Sequence, residues 1–214
     1  MKQTIIITLL AVFAMAGQAQ KHLPGIQYSK ESAVLNGRII DDGTRKTDSV
    51  RVRYVLKYSS GMGDGIRRKS TALDANGCFS LSLPTGTTLD CLVMVGHCHF
   101  TCYVVPGQTV SFTLNLGKLK KQGLAKSLTF SGQLADFNRD LVYATEQGID
   151  PETIYREIES KRNMGQLAGE LPGKSEEGYF HYLDSTYRRI NELIDNDRKI
   201  GTAYREFARA VLKA

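Results

Sequence analysis

Two histidines and two cysteines fall within six residues of this chain, in the segment HCHFTC at 97–102. Imidazole and thiolate are the ligands that zinc prefers, which makes four side chains candidate metal ligands: His97, Cys98, His99 and Cys102. Structural zinc sites use paired spacings such as C-x2-C, whereas Cys98 and Cys102 are separated by three residues. His97 and His99 also point away from Cys98 on an extended chain, so coordination would need an irregular turn. A C-x-x-C redox dithiol is absent from the sequence.

The elements around this segment favour a hairpin. Apolar runs at 89–95 and 101–105 flank it, and we expect the turn at Gly96–Phe100. If the turn is centred near residues 96–98, Cys102 falls opposite or diagonal to Cys91, within reach of a disulfide, so Cys91–Cys102 is the preferred pair if one forms. The alternative is that both are small apolar residues on a buried sheet face, with Cys98 exposed and reactive at the turn.

Other catalytic arrangements find little support. A hydrolase triad needs a histidine base, and the two histidines outside the hairpin are His22, near the N-terminus, and His181, on an expected helix. No G-x-S-x-G motif is present. The glycine-rich segment 61–65 joins two expected strands, so no helix N-terminus stands behind it to hold phosphate. We therefore expect no catalytic residue, no cofactor-binding residue and no cofactor.

Residues 33–130 have the period of β-strands. Apolar and polar residues alternate in 50–58, 78–83 and 110–116, and glycine-rich turn signals separate these runs. The pattern predicts an antiparallel β-sandwich of about seven strands.

After Ser131 the apolar spacing becomes helical. Four helices are expected in a helical domain at 131–214, which makes the fold class α+β. Ser131 is a plausible N-cap and Gly148 a plausible stop for the first of them, and the second begins at Asp150. Apolar stripes mark the third and fourth helices: Phe180, Leu183, Tyr187, Ile190 and Ile194, then Tyr204, Phe207, Ala208, Val211 and Leu212. The last stripe must be buried, and a homodimer through this helix would bury it.

The first 19 residues have the features of a signal peptide: a positive start, an apolar run of about twelve residues, and small residues Gly17 and Ala19 before a cleavage point. That run is too short to span a membrane, so the mature protein is expected in the periplasm or secreted, and not membrane-spanning. The net charge of +6 is dispersed among turns and helix exteriors. Nucleic acid is not an expected partner, because such a surface needs basic residues clustered with aromatics.

The order of several motifs resembles the N-terminal, non-thioredoxin region of exported TlpA-type thiol–disulfide oxidoreductases. The motifs are GRII at 37–40, DANGCFSL at 74–81, VPGQTV at 105–110, TFSG at 129–132 and LADFN at 134–138. The resemblance implies a β-sandwich of unassigned function followed by helices, and then a thioredoxin-like domain. The catalytic C-x-x-C of that family is missing, and none of the four cysteines matches a catalytic one. The chain is then either a stand-alone module or the front part of a gene that lost its thioredoxin half.

These observations favour a non-catalytic exported module that binds another envelope protein or a ligand, accessory to thiol-redox proteins as the resemblance implies. One alternative is a metal-dependent or redox-active protein that uses the His97–Cys102 hairpin. Another is a glycan-binding sandwich, which would need exposed aromatic residues on one sheet face; Tyr54, Tyr58 and Tyr103 are the candidates.

Overall fold

A computed structural model describes residues 27, 29–41, 43, 47–56, 65–155, 158 and 176–212 of the 214. These residues form a mixed α+β structure in which two four-stranded sheets face each other like a sandwich, followed by helices. The described strands are β1 Ala33–Ile40, β2 Ser49–Leu56, β3 Gly65–Ala72, β4 Cys78–Leu83, β5 Leu89–Val95, β6 Cys98–Val104, β7 Thr109–Asn115 and β8 Leu128–Gly132. The expected signal peptide lies outside the described residues.

The strands form where side chains alternate between core and solvent. Every second side chain of β5 is buried, from Leu89 to Val95, and β4, β6 and β7 show the same alternation. Successive side chains of a strand point to opposite faces, so this spacing places one apolar row of each strand between the sheets. The expectation of a sandwich-like arrangement over 33–130 is confirmed at this level.

Strand number and pairing differ from the sequence prediction. The first sheet has the order β4-β1-β7-β8 and the second β3-β2-β5-β6, giving eight described strands rather than about seven. The pairing is not wholly antiparallel, because β1 and β7 run parallel, with Leu35 beside Val110. Periodicity within a strand carries no information about the direction of its neighbour, so the prediction could not have found this pair.

Aromatic rings fill the space between the sheets. Phe112 packs edge-on against Phe79 and Phe100, with ring centroids 5.5 Å and 5.1 Å apart, and Phe100 in turn meets Phe130. Gly37 leaves room for the Phe79 ring, because a β-carbon at position 37 would collide with that ring. The glycine of the GRII motif is therefore required by packing.

Two short helices interrupt the segment that the sequence assigns to strands. These are α1 Leu116–Gln122 and α2 Leu124–Ser127, and both precede β8. Asn115 caps α1 by accepting a hydrogen bond from Lys118 N at 3.0 Å. The next helix, α3 Ala135–Glu146, follows the N-cap residue Leu134. The prediction that Ser131 is the N-cap is therefore wrong, because Ser131 pairs with Ser111 as part of β8.

The remaining helices share one apolar cluster with α3. Residues 151–155 are helical, α4 spans Glu176–Asn196, and α5 spans Thr202–Val211. Tyr204 and Ala208 of α5 are fully buried in a cluster with residues of α3 and α4. The apolar stripe of the last helix is thus largely covered within the chain. The predicted stripe of α4 is wrong at Phe180, which is 58% exposed, while its neighbour Tyr179 is buried.

None of the helices among the described residues is both long enough and apolar enough to cross a bilayer.

Candidate functional site

The HCHFTC segment forms one side of a hairpin, as the sequence predicts. β5 and β6 are joined by the two residues Gly96 and His97, and Val95 pairs with Cys98 across the turn. Gly96 has φ +58°, a left-handed value that two-residue hairpin turns require at this position and that glycine adopts without strain. The turn is shorter than the expected Gly96–Phe100, because β6 already begins at Cys98.

The four candidate metal ligands do not converge. Alternation along β6 buries Cys98 and Cys102 in the core and leaves His99 exposed on the opposite face, while His97 is exposed at the turn. Nowhere in the described ranges do three or more histidine, cysteine or acidic side chains form a group that could hold a metal ion. The expectation that Cys98 is exposed and reactive is wrong, since the residue is 8% exposed and its sulfur faces the core.

Cys91 and Cys102 lie directly opposite each other in the hairpin, both fully buried, and both are thiols. The two-residue turn makes Val95 and Cys98 a hydrogen-bonded pair, and the alternation along the ladder makes Cys91–Cys102 another. Such pairs have Cα atoms about 5.5 Å apart, within the range that a disulfide spans. The register thus places the predicted partners face to face, and the bond itself stays a prediction.

Burial suppresses the acidity of both thiols. Desolvation, assisted by the Asp90 carboxylate, raises the pKa of Cys102 to about 12. Desolvation also raises the pKa of Cys91 well above its usual value, with Cys102 as a second cause. Because the thiolate is the reactive species, neither sulfur is a competent nucleophile at neutral pH while it remains a thiol.

Tyr54 and Tyr103, two of the three aromatic residues considered for glycan binding, do not form an exposed surface. Tyr54 is 3% exposed and belongs to the core between the sheets. Tyr103 is partly buried beneath the helices, where its ring packs edge-on against Phe137 and Phe207. Tyr58 lies outside the described residues. Tyr54 and Tyr103 are therefore packing residues and offer no exposed aromatic surface for a glycan.

His181 lies in α4 close to Asp184 and Ser185, three residue types of a hydrolase triad. Their hydrogen bonds are those of an ordinary helix surface. The Ser185 hydroxyl donates to the Tyr182 carbonyl oxygen at 2.9 Å, and Asp184 forms an ion pair with Arg188 one turn later. The histidine is therefore not aligned with a nucleophile.

The exposed outer face of the second sheet carries three adjacent arginines. Arg51 and Arg53 alternate with buried valines along β2, and Arg53 pairs directly with Arg68 of β3. All three side chains are exposed, and within the described ranges none of their guanidinium groups has a hydrogen bond or ion pair. We call the surface around Arg51, Arg53 and Arg68 the basic face.

Apolar side chains lie beside these charges. On β5, Met94 is the direct neighbour of Arg51 and Leu92 that of Arg53, and both are partly exposed. Ile66, two residues before Arg68 on the same side of β3, is 56% exposed. Apolar side chains on β5 and β3 thus flank the arginines of β2, and protein-binding surfaces combine apolar area with an enrichment in arginine.

The excess positive charge is expected at turns and helix exteriors, whereas Arg51, Arg53 and Arg68 lie on strands. A usable signal was present, since the alternation V-R-V-R at 50–53 places both arginines on one face of a strand. The contribution of Arg68 needed the register of β2 against β3, which no local pattern encodes.

An open cleft of about 630 Å³ lies between the ends of β3 and β4. The Asn36 side-chain oxygen in its lining is buried and accepts no hydrogen bond from the described residues. Asp74, also in the lining, is already engaged: its Oδ1 accepts hydrogen bonds from Asn76 N at 2.9 Å and Cys78 N at 2.7 Å, which fixes the β3–β4 turn. The cleft therefore offers an acceptor but no available carboxylate.

Comparison with known proteins yields no family. No family model matches the chain, and no curated protein does. Among solved structures, a "putative cell adhesion protein" from Bacteroides ovatus ATCC 8483 is similar over 48% of this chain and 44% of its own, with 10% identity and a TM-score of 0.27. The 3-chlorocatechol 1,2-dioxygenase of Rhodococcus opacus 1CP is similar over 42% of this chain and 60% of its own, with 13% identity and a TM-score of 0.25. Since this chain spans less than two thirds of either structure and both TM-scores are low, neither likeness bears on function.

Proposed function

We propose that this protein is a non-catalytic, exported module that binds an anionic protein or ligand in the cell envelope through the basic face. The observation that carries the proposal is the direct pairing of Arg53 with Arg68, with Arg51 two residues away on the same surface. Like charges directly opposite each other in a sheet are destabilising, so the isolated fold gains nothing from this arrangement. A negatively charged partner would convert the repulsion into attraction.

The neighbouring side chains support a macromolecular partner over a single small ion. The apolar surface of Leu92, Met94 and Ile66 beside the arginines gives a partner area to bury in addition to charge. Arginine also suits this role chemically, because its planar guanidinium group forms paired hydrogen bonds with a carboxylate or a phosphate.

The proposed compartment rests on the features of residues 1–19, and an accessory role beside envelope thiol-redox proteins rests on the TlpA-type resemblance. Export has a direct test. The intact mass of the protein expressed with its own N-terminus in a Gram-negative host should correspond to a chain that begins at Gln20. A chain retained in the cytoplasm with residues 1–19 attached would contradict export.

Binding is tested with poly-L-glutamate as the anionic probe. The triple variant Arg51→Gln, Arg53→Gln, Arg68→Gln should lose affinity, and the affinity of the unmodified protein should fall as salt is raised. The matched control is Lys118→Gln, Lys120→Gln, Lys121→Gln, which removes the same charge from exposed positions on α1. Equal losses in both variants would show attraction to net charge alone and would contradict a site at the basic face.

A homodimer through α5 stays a prediction that belongs to this proposal. The burial of Tyr204 and Ala208 within the chain removes much of the apolar area that motivated it. Sedimentation equilibrium of the mature protein measures the association state directly.

A further inference from the structure

The β3 strand forms one edge of the second sheet, and its side chains are exposed along almost its whole length. The hydrogen bond from Leu73 N to the Asp48 carbonyl at 2.8 Å sets which backbone groups face β2. By alternation, residues 67, 69 and 71 bond to β2, while the backbone N–H and C=O groups of Ile66, Arg68 and Ser70 point out of the sheet. These outward groups are the ones that an added strand would use.

At the other sheet edges, other parts of the same chain contact the edge strands. At the opposite edge of the second sheet, the Asn138 side chain bonds to both backbone groups of Tyr103 in β6. In the first sheet α3 packs on β8, and on β4 the Lys69 ammonium group donates to the Ser82 carbonyl at 2.9 Å. Proteins commonly block sheet edges in such ways to prevent unwanted pairing. Among the described residues, none provides a comparable cover for the outward groups of β3.

We infer that β3 binds an extended acidic segment of another protein by strand addition, with carboxylates of that segment meeting Arg68 and, next to it, Arg53. The inference rests on the proposed function and specifies the partner. Backbone hydrogen bonds to Ile66, Arg68 and Ser70 would give affinity, and charge would give selectivity. The eight residues of β3 accommodate a segment of about five to eight residues.

Charge decides between this partner and a second copy of the same chain. If two β3 strands paired antiparallel about Arg68, the two Arg68 side chains would face each other and Arg67 would face Lys69. Like charges opposite each other disfavour that dimer, whereas an acidic strand places opposite charges at the same positions. Charged edges of this kind prevent self-pairing while they remain open to a complementary strand.

The test uses a synthetic peptide of alternating glutamate and valine and a second peptide of identical sequence with N-methyl groups on alternate backbone nitrogens. The N-methyl groups remove the hydrogen bonds of one strand edge and leave the charge unchanged. We expect the N-methylated peptide to bind at least about tenfold more weakly, because strand addition depends on those bonds. The unmodified peptide should also slow amide hydrogen exchange at Ile66, Arg68 and Ser70.

The matched protein variant is Ser70→Pro, which removes an outward N–H group without breaking a bond to β2. It should weaken binding of the unmodified peptide to the level of the N-methylated one, and Ser70→Ala, which keeps the N–H group, should bind as the unmodified protein does. If Ser70→Pro fails to fold, the two peptides and the exchange data on the unmodified protein decide the question.

Three results would overturn the inference in distinguishable ways. Equal binding of the two peptides, lost in the triple arginine variant, would refute strand addition and leave the proposed basic face intact. No binding of either peptide or of poly-L-glutamate would refute both. A dimer of the unmodified protein that Ser70→Pro abolishes would show that a second copy occupies β3.

Discussion

The side-chain amide of Asn138 makes two hydrogen bonds with the backbone of Tyr103. Its Oδ1 accepts from Tyr103 N at 2.7 Å, and its Nδ2 donates to the Tyr103 carbonyl at 3.1 Å. Asn138 is fully buried on α3, and Tyr103 lies in the edge strand β6. One amide thus takes the place of a neighbouring strand residue and fastens the helical part of the chain to the sandwich.

Asn138→Ala should therefore destabilise the protein by about 1–3 kcal/mol, since the partly buried Tyr103 N–H group loses its acceptor. Urea unfolding followed by circular dichroism measures the change in the free energy of unfolding. The control is Asn196→Ala at the exposed end of α4, for which we expect a change within about 0.5 kcal/mol. A similar small change for Asn138→Ala would show that water or a rearranged side chain replaces the amide.

A second buried contact joins α5 to the start of the helical segment at 151. The Tyr204 hydroxyl donates to Asp150 Oδ1 at 2.7 Å, while Asp150 Oδ2 accepts from the backbone and the hydroxyl of Thr153. Tyr204→Phe keeps the ring and removes only this donor, so we expect a loss of about 1.5–3 kcal/mol in the free energy of unfolding. Thermal and urea unfolding should agree on the loss. Tyr155→Phe, at a residue 47% exposed, is the control and should change stability little.

The cysteines should differ sharply in reactivity under reducing conditions. Cys78 is partly exposed, whereas Cys91, Cys98 and Cys102 are buried. We expect alkylation of the native protein to label Cys78 first and alkylation after unfolding to label all four, as intact mass measures. Rapid native labelling of Cys98 would contradict its placement in the core.

The same measurement without reductant tests the Cys91–Cys102 disulfide. The intact mass of protein recovered from an oxidising compartment should be lower by the mass of two hydrogen atoms. Peptide mapping should then find the peptides that contain residues 91 and 102 linked by a disulfide. Disulfides that involve Cys78 or Cys98 would contradict the pairing that the register favours.

Stability of the reduced protein should fall in alkaline solution. The pKa of Cys102 is raised from 9.0 to about 12, so between these pH values the native thiol keeps a proton that the unfolded chain loses. The unfolded state then binds fewer protons, and the free energy of unfolding falls by up to about 1.4 kcal/mol per pH unit for this thiol. Well below pH 9 the Cys102 thiol is protonated in both the native and the unfolded state, so its contribution to the free energy of unfolding does not change with pH.

Urea unfolding at pH 8 and pH 10.5 checks this expectation. The double variant Cys91→Ala, Cys102→Ala removes both thiols, and its stability should decline less between the two pH values than that of the unmodified protein. Parallel declines would show that tyrosines and lysines account for the whole effect.

Local sequence determined the elements that depend on one chain segment. The alternation of residues 78–83 and 110–116 predicted strands because burying one face of a strand requires a period of two. The apolar runs on either side of Gly96 predicted the hairpin and placed Cys102 opposite or diagonal to Cys91. The register of the structure makes the two residues directly opposite, because the two-residue turn fixes the pairing of the strands it joins. The helical spacing of Tyr204 and Ala208 likewise predicted α5 and the side it buries.

Tertiary structure decided the relationships between distant segments. The parallel pairing of β1 with β7, the meeting of Arg53 with Arg68 and the bond of Asn138 to Tyr103 each join residues that no local pattern connects. Cys98 was expected at an exposed turn. It is a core residue because the turn comprises only Gly96 and His97 and Cys98 already pairs with Val95. A side-chain period shows which face of an element is buried. The partner of that face is set by the packing of the whole chain, so the basic face and the open β3 edge emerged only from the assembled sheets.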